Sequence, residues 1–170
     1  MMETLKPDDV QAVLDIAVPG TVMYFFDSPT ATSQQAADNI GCELGQIVKS
    51  LCFIVSLPER QQPILVLASG DQRVDDRKLA EWFKVGRKRV RIATAEECVA
   101  IYGYPPGSVP PFGHRTAGLP TFIDQSLARF EQLYAAGGAH NAIFPITLAQ
   151  LIATTNGIFL DVVRDATSPE

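Results

Sequence analysis

Apolar residues recur along this chain with two periods, and the alternation of those periods predicts its elements. Residues 8–18 place Val10, Val13, Leu14 and Ala17 at helical spacing. Residues 21–26 (TVMYFF) are β-branched and aromatic and predict a strand. Thr32-Ser33-Gln34-Gln35 is a capping-box pattern that opens a helix to about Ile40, with Gly41 and Gly45 bracketing its end. Residues 48–57 (VKSLCFIVSL) and 64–68 (ILVLA) predict two strands, joined by PERQQP as a hairpin-type connection. Residues 75–83 predict a helix with Val74, Leu79, Trp82 and Phe83 available to its buried side, and residues 89–93 a short strand. A second capping box, Thr94-Ala95-Glu96-Glu97, opens a helix to about Ile101. Residues 120–124 and 132–136 predict strands with 125–129 as the turn between them, and 143–146 another. Thr147-Leu148-Ala149-Gln150 is a third capping box, and residues 158–163 give the last strand.

One stretch fits neither period. Residues 102–120 (YGYPPGSVPPFGHRTAGLP) are rich in proline and glycine and cannot form a helix or a central strand. A loop of this length is usually functional or disordered; apolar strand-like segments flank it, so it reads as an ordered loop inside one domain spanning residues 1–170. Hairpin links beside crossovers predict an α/β or α+β domain on a mixed or mostly antiparallel sheet. Strict β-α-β alternation is missing, as are G-x-G-x-x-G and G-x-x-x-x-G-K-[ST], so a doubly wound nucleotide fold is disfavoured.

Composition narrows the class of protein. The 170 residues are 46% hydrophobic and 19% charged, as in a globular domain rather than a disordered chain. No apolar run reaches the ~18 residues of a membrane span, and the start MMETLKPDDV lacks a signal-peptide core. The net charge of −5 argues against wholesale coating of nucleic acid but leaves room for a local basic patch. Cys42, Cys52 and Cys98 are odd in number and form no C-x-x-C pair, which favours a reducing compartment, the cytoplasm. With His114 and His140 they do not make a zinc spacing, so no metal is expected. Cys42 and Cys52 are expected to be buried as small apolar residues, and His114 to be a partly exposed loop residue.

Four features could carry chemistry. Lys49 interrupts an apolar strand and must either snorkel outward, as an edge lysine that resists aggregation, or be held in a pocket. The segment Gly107-Ser108-Val109-Pro110-Pro111-Phe112-Gly113 is either a rigid turn or a stiff frame that aims main-chain donors at a carbonyl or oxyanion. Tyr134 to Gly138 ends a strand in Gly137-Gly138, either as a turn or as bare backbone for a ligand. Lys84, Arg87, Lys88, Arg89 and Arg91, with Arg73, Arg77 and Lys78 upstream, form a basic cluster in an acidic chain. They are either a solvated helix end or a phosphate-binding surface. No G-x-S-x-G is present, and neither histidine lies by a convincing nucleophile motif.

In order along the chain, TSQQAA (32–37), QIVKSL (46–51), LVLASGDQRV (65–74), Gly103-Tyr104, GSVPPFG (107–113), LPTFID (119–124) and YAAGG (134–138) resemble the YbaK/ProX-type aminoacyl-tRNA deacylases. These are similar to the editing domain inserted in bacterial prolyl-tRNA synthetases. The resemblance runs from about Phe25 to Val163. It implies an α/β fold on a mixed, curved, largely antiparallel sheet with surrounding helices. It implies a trans-editing hydrolase that cleaves the ester between a small amino acid (Ala, Ser, Thr or Cys) and the 3′ end of a mischarged tRNA. Lys49 matches the family's functionally important lysine, and Gly107 to Pro111 its G-x-x-x-P loop, which holds the aminoacyl moiety. Substrate-binding roles thereby fall to Gly107, Ser108, Val109, Pro111, Gly113, Gly137 and Gly138, and tRNA phosphates to Arg87, Lys88, Arg89 and Arg91. Ala136 stands where some relatives have Ser, and Ile143 where some cysteine-specific relatives have an acidic residue. The implied partner is aminoacyl-tRNA, with an aminoacyl-tRNA synthetase as a further candidate, and neither DNA, a membrane nor a cofactor is implied. The oligomeric state is left open. Two competing readings stand beside this one: a non-catalytic tRNA- or protein-binding module that retains the fold, and a hydrolase of another small ester or amide.

Overall fold

A computed structural model describes residues 2–166. Eight strands form one mixed sheet: β1 (Tyr24–Phe25), β2 (Ile47–Ser56), β3 (Gln61–Ser69), β4 (Val90–Ile92), β5 (Thr121–Asp124), β6 (Gln132–Ala136), β7 (Ala142–Thr147) and β8 (Ile158–Leu160). Their order is β1-β7-β6-β2-β3-β5-β8, with β4 also on β2. The long β2–β3 and β6–β7 pairs are antiparallel, whereas β2–β6, β3–β5 and β5–β8 are parallel. The helices are α1 (Pro7–Ala17), α2 (Ser33–Ile40), α3 (Asp76–Phe83), α4 (Ala95–Glu97) and α5 (Leu148–Thr155). The three capping boxes form as the sequence predicts: Thr32, Thr94 and Thr147 each accept from the backbone N–H three residues on.

The period of two along β2 sorts its side chains between two cores. Val48, Cys52 and Ile54 join the main cluster, under α1, α5 and the proline-rich loop. Phe53 and Val55 face the other way, onto Leu79 and Ala80 of α3, and Ile47 packs with Ala36 and Ala37 of α2. Each buried aliphatic or aromatic side chain contributes roughly 1.5–3 kcal/mol. On the second face, α2 and α3 leave a gap between their clusters, and Lys49 lies in it.

Several elements differ in extent from the pattern reading. The strand expected over 21–26 is reduced to Tyr24–Phe25, because β7 offers partners only at Ile143 and Ala142. β3 starts at Gln61, inside the expected connection, and includes Pro63. Pro63 is tolerated there for a geometric reason. Leu65 donates its N–H to Pro120, so residues 63, 65 and 67 point toward β5, whose pairing begins only at Leu65. Pro63 therefore lies past the end of that ladder and needs no N–H. The last strand ends at Leu160, with Val163 making a separate bridge to Val74.

The loop from 103 to 119 is held by its aromatic residues. Tyr102 and Tyr104 are fully buried. The Tyr102 hydroxyl donates to the Ile64 carbonyl at 2.5 Å, and the Tyr104 hydroxyl to Gly113 at 2.8 Å. Val109 and Phe112 insert into the main core.

Candidate active site

Strand β2 has β3 along one edge and two different strands in turn along the other. Near its start, Ile47 and Val48 pair with β6, and near its end Phe53 to Val55 pair with β4. Between these pairings the same side of β2 is open, and the sheet forks. Cys52 accepts from the Ala93 N–H on the β4 side. By strand alternation the N–H and C=O of Ser50 point to that side too, where no strand residue pairs with it.

A cavity of about 260 Å³ fills the fork. It is smaller than the roughly 300–1,000 Å³ of sites for drug-sized ligands. Lys49, Ser50 and Leu51 form its sheet wall, Gly107 and Val109 its loop wall, and Thr30 to Ser33 at the start of α2 its third side. Ala36, Ile47, Ala136 and Ile143 close one end with apolar surface. Lys49 on the sheet and the proline-stiffened loop thus line one hollow.

The Lys49 ammonium donates to the Gln72 carbonyl. Burial first, and the nearby Arg73 second, push its pKa below the ordinary value, with Asp71 acting in the opposite sense. Asp71 is itself clamped by Arg129 at 2.7 and 3.0 Å, which holds its carboxyl below the usual range. Lys49 is therefore a tethered, half-buried amine rather than an edge lysine in bulk water.

Gly107 has φ +87°, and a Cβ there would lie 2.9 Å from the Ala31 carbonyl oxygen. Glycine is required for the loop to approach the start of α2 this closely. The other residues singled out in the sequence lie elsewhere. Ser108 is buried on the far side of the loop, beside Pro105, Gly138 and His140. Pro111 and Gly113 border a different cleft with His114. Gly137 packs against Met23, and Gly138 (φ +95°) against Tyr104 and Val10, so the glycine pair sits behind the cavity while Ala136 lines it. Arg87, Lys88 and Arg89 form an exposed 3-10 turn, with Arg87 paired to Asp76 at 2.8 Å. Arg91 gives two hydrogen bonds to Glu97, at 2.7 and 2.9 Å.

His114 is half buried, with Nε2 2.7 Å from the Pro110 carbonyl and its ring edge-on to Tyr102. Burial lowers its pKa. Cys52 and Cys98 are buried and Cys42 is partly so, all as free thiols. Among the described residues, no three His, Cys, Asp or Glu side chains converge as metal ligands, and no helix is long and apolar enough to cross a membrane.

Ser50 is the residue that sequence reasoning missed. Its Oγ is buried without a hydrogen-bond partner, and it lines the cavity. An orphan hydroxyl costs about 1–3 kcal/mol of desolvation unless a ligand or water satisfies it. Two adjacent polar residues, Lys49 and Ser50, within an apolar strand were the available signal.

Comparison with known proteins shows the family and the fold. Residues 27–154 match the family model of the aminoacyl-tRNA editing domain, and the chain belongs to that family. It is 33% identical over 142 residues to the uncharacterized protein YwhH of Bacillus subtilis, covering 82% of this chain and 85% of that one. It is 32% identical over 83 residues to the proline–tRNA ligase of Limosilactobacillus fermentum, covering 48% of this chain but only 14% of the ligase. A solved chain described as a candidate trans-editing enzyme for prolyl tRNA synthetase superposes with a TM-score of 0.83 at 33% identity, over 94% of this chain and 97% of that one. The mixed α/β sheet with its helices is the fold of that solved chain.

Proposed function

We propose that this chain is a free-standing aminoacyl-tRNA deacylase. It hydrolyses the ester between a small amino acid (Ala, Ser, Thr or Cys) and the 3′ end of a wrongly charged tRNA, in the cytoplasm. The observation that carries this reading is the convergence of Lys49, Ser50 and Gly107 on one small cavity in a chain of the editing family.

The chemistry asks little of the protein. An aminoacyl ester is already activated, so the site must place a water and stabilise the oxyanion that forms at the carbonyl carbon. The unpaired main chain of Ser50 supplies a donor in the fork. The positive end of α2 and the Lys49 ammonium favour negative charge there. Lys49 orients the ester or the phosphate next to it, and its lowered pKa keeps proton relay within reach. Gly107 and Val109 bound the aminoacyl group, with Ser108, Pro111 and Gly113 fixing the loop behind them. Gly137 and Gly138 act through Ala136, by letting Met23 and Tyr104 pack directly behind it. The apolar end, with Ala36, Ile47 and Ile143, suits a short uncharged side chain. One methyl group changes affinity by only about 1–3 kcal/mol, which is why a separate hydrolytic sieve serves fidelity. The basic turn at Arg87, Lys88 and Arg89, with Arg91, faces the tRNA phosphates, and a synthetase is a candidate docking partner.

The test is a panel of Ala-, Ser-, Thr- and Cys-tRNA incubated with wild type and Lys49→Ala. Hydrolysis of at least one, abolished in the variant, is expected. Binding without turnover on the whole panel would instead favour a non-catalytic module, and cleavage of small esters indifferent to tRNA a different hydrolase.

A further inference from the structure

A second hollow, of about 380 Å³, adjoins the first and shares Lys49 and Leu51 with it. Leu51 and Phe53 of β2 and Val90 and Ile92 of β4 give it an apolar floor, while Arg73, Arg91 and Arg164 stand around it with one carboxylate, Asp76. Asp76 is engaged by Arg87 at 2.8 Å. The main chain joins two of these walls, since Arg164 donates its N–H to the Arg73 carbonyl at 2.8 Å. Arg91 is held in place by Glu97, and a guanidinium has donors to spare beyond the two it gives there. Ile92 is 66% exposed, a large apolar side chain in water beside a cluster of cations.

We propose that this groove seats one nucleotide of the unpaired 3′ end of the RNA, which leads to the ester in the neighbouring cavity. This rests on the deacylase reading and names where its RNA lies. The chemistry of the lining selects the occupant. A flat base covers Leu51, Phe53 and Ile92, and the flanking phosphates meet Arg91 and Arg164. An apolar peptide would make no use of the guanidinium donors of Arg91 and Arg164, and an acidic peptide would leave the floor bare. The hollow is about the size of one unpaired nucleotide, not of a duplex. Lys49 stands at the junction, so a phosphate seated in the groove brings the linked ester to the fork. Arg164, outside the basic cluster at 84–91, thus becomes part of the RNA surface.

The test uses the full chain and two uncharged RNA hairpins, one with a single-stranded 3′ tail of four nucleotides and one blunt. Binding is followed by fluorescence anisotropy across a salt series for wild type, Arg91→Gln, Arg164→Gln, Arg164→Lys and, as a charge-matched control, Arg60→Gln. Thermal melts establish that each variant is folded. The tailed hairpin is expected to bind at least about tenfold more tightly than the blunt one. Arg164→Gln is expected to remove most of that margin and to reduce the log–log salt slope by about 0.7 for each phosphate it no longer neutralises. Arg164→Lys should restore the slope, and Arg60→Gln should change neither. In deacylation, Arg164→Gln should raise KM with kcat nearly unchanged. Equal binding of the two hairpins, or an Arg164→Gln variant that keeps both the margin and the slope, overturns the proposal. If wild type cleaves no charged tRNA but the tail dependence holds, the deacylase reading falls and the groove stands. If it cleaves and the tail dependence is missing, the groove alone falls.

Discussion

Replacing Gly107 by alanine tests the close approach on which the cavity depends, and Gly118 provides an internal control. Both glycines have positive φ, +87° and +73°. A Cβ at Gly118 would meet nothing within 4 Å, whereas one at Gly107 would lie 2.9 Å from the Ala31 oxygen and 3.3 Å from its Cβ. The left-handed backbone costs an alanine roughly 1–2 kcal/mol at either position. Gly118→Ala should lower Tm by about 2–8 °C, at roughly 2–4 °C per kcal/mol for a chain of this size. Gly107→Ala bears the same cost plus a clash that a main-chain oxygen cannot rotate away from. The loop or the start of α2 must move, and a further destabilisation of about 1–2 kcal/mol is expected. The functional difference should be larger. A wall displaced by up to about 1 Å can cost on the order of 100-fold in rate, so deacylation should fall about 10- to 100-fold in Gly107→Ala. It should be unchanged in Gly118→Ala, which is remote from the fork. Melting by circular dichroism and single-turnover deacylation measure the two quantities. Equal drops in Tm with equal activities would refute the argument, because backbone strain alone would then account for Gly107.

Four other predictions concern Lys49, Ser50 and Glu97. Lys49→Met keeps the apolar stem and removes the charge: kcat/KM should drop about 10²- to 10³-fold while Tm stays within about 4 °C, since removal of the hydrogen bond is offset by relief of ammonium desolvation. Because burial depresses the Lys49 pKa, the folded chain binds fewer protons than the unfolded one between the lowered value and about 10.5. Wild-type stability should therefore gain as pH rises through that window, and denaturant melts of Lys49→Met should show a smaller gain. Ser50→Ala removes a hydroxyl without a partner, so stability should be unchanged or slightly higher, yet kcat/KM should fall about tenfold if the hydroxyl binds substrate. For Glu97, the Arg91 guanidinium first, with the Thr94 N–H, holds the carboxyl at about 2, well below 4.5. That pairing is present above about 4.5 and is lost as pH falls toward 2. It is half exposed, so Glu97→Gln should cost only about 1 kcal/mol near neutrality and should flatten the acid limb of a urea-melt series.

What the sequence disclosed was local. The capping boxes at Thr32, Thr94 and Thr147 formed where side-chain chemistry three residues apart dictates them. The period-two runs became β2 and β3 within a residue or a few at each end. The fork was not legible, because it arises from pairing between Ile47 and Tyr134, far apart in the chain, and no residue near Lys49 encodes it. The same holds for Arg164, which reaches the groove only because Val163 bridges to Val74. Gly137 and Gly138 were visible as a glycine pair, but their position behind the cavity follows from what packs against them, Met23 and Tyr104.

That position suggests a physical role for the pair. The parallel ladder between β2 and β6 ends at Val48 and Ala135. One more step would set Ala136 opposite Lys49 and let the Ala136 carbonyl take the Ser50 N–H, closing the fork on that side. Gly137 donates its N–H to the Ala142 carbonyl, continuing the β6–β7 ladder, and Gly138 turns with φ +95° where the chain passes from β6 to β7. A Cβ at Gly137 would lie 2.6 Å from the Met23 sulfur, so a side chain there would oblige Met23 to move aside. The cavity thus lies where the β2–β6 ladder stops, one residue before the Gly137-Gly138 turn. On this reasoning the two glycines stand beside the site without lining it: the Ser50 N–H of β2 is left without a strand partner, next to a tethered lysine, in a space of about 260 Å³.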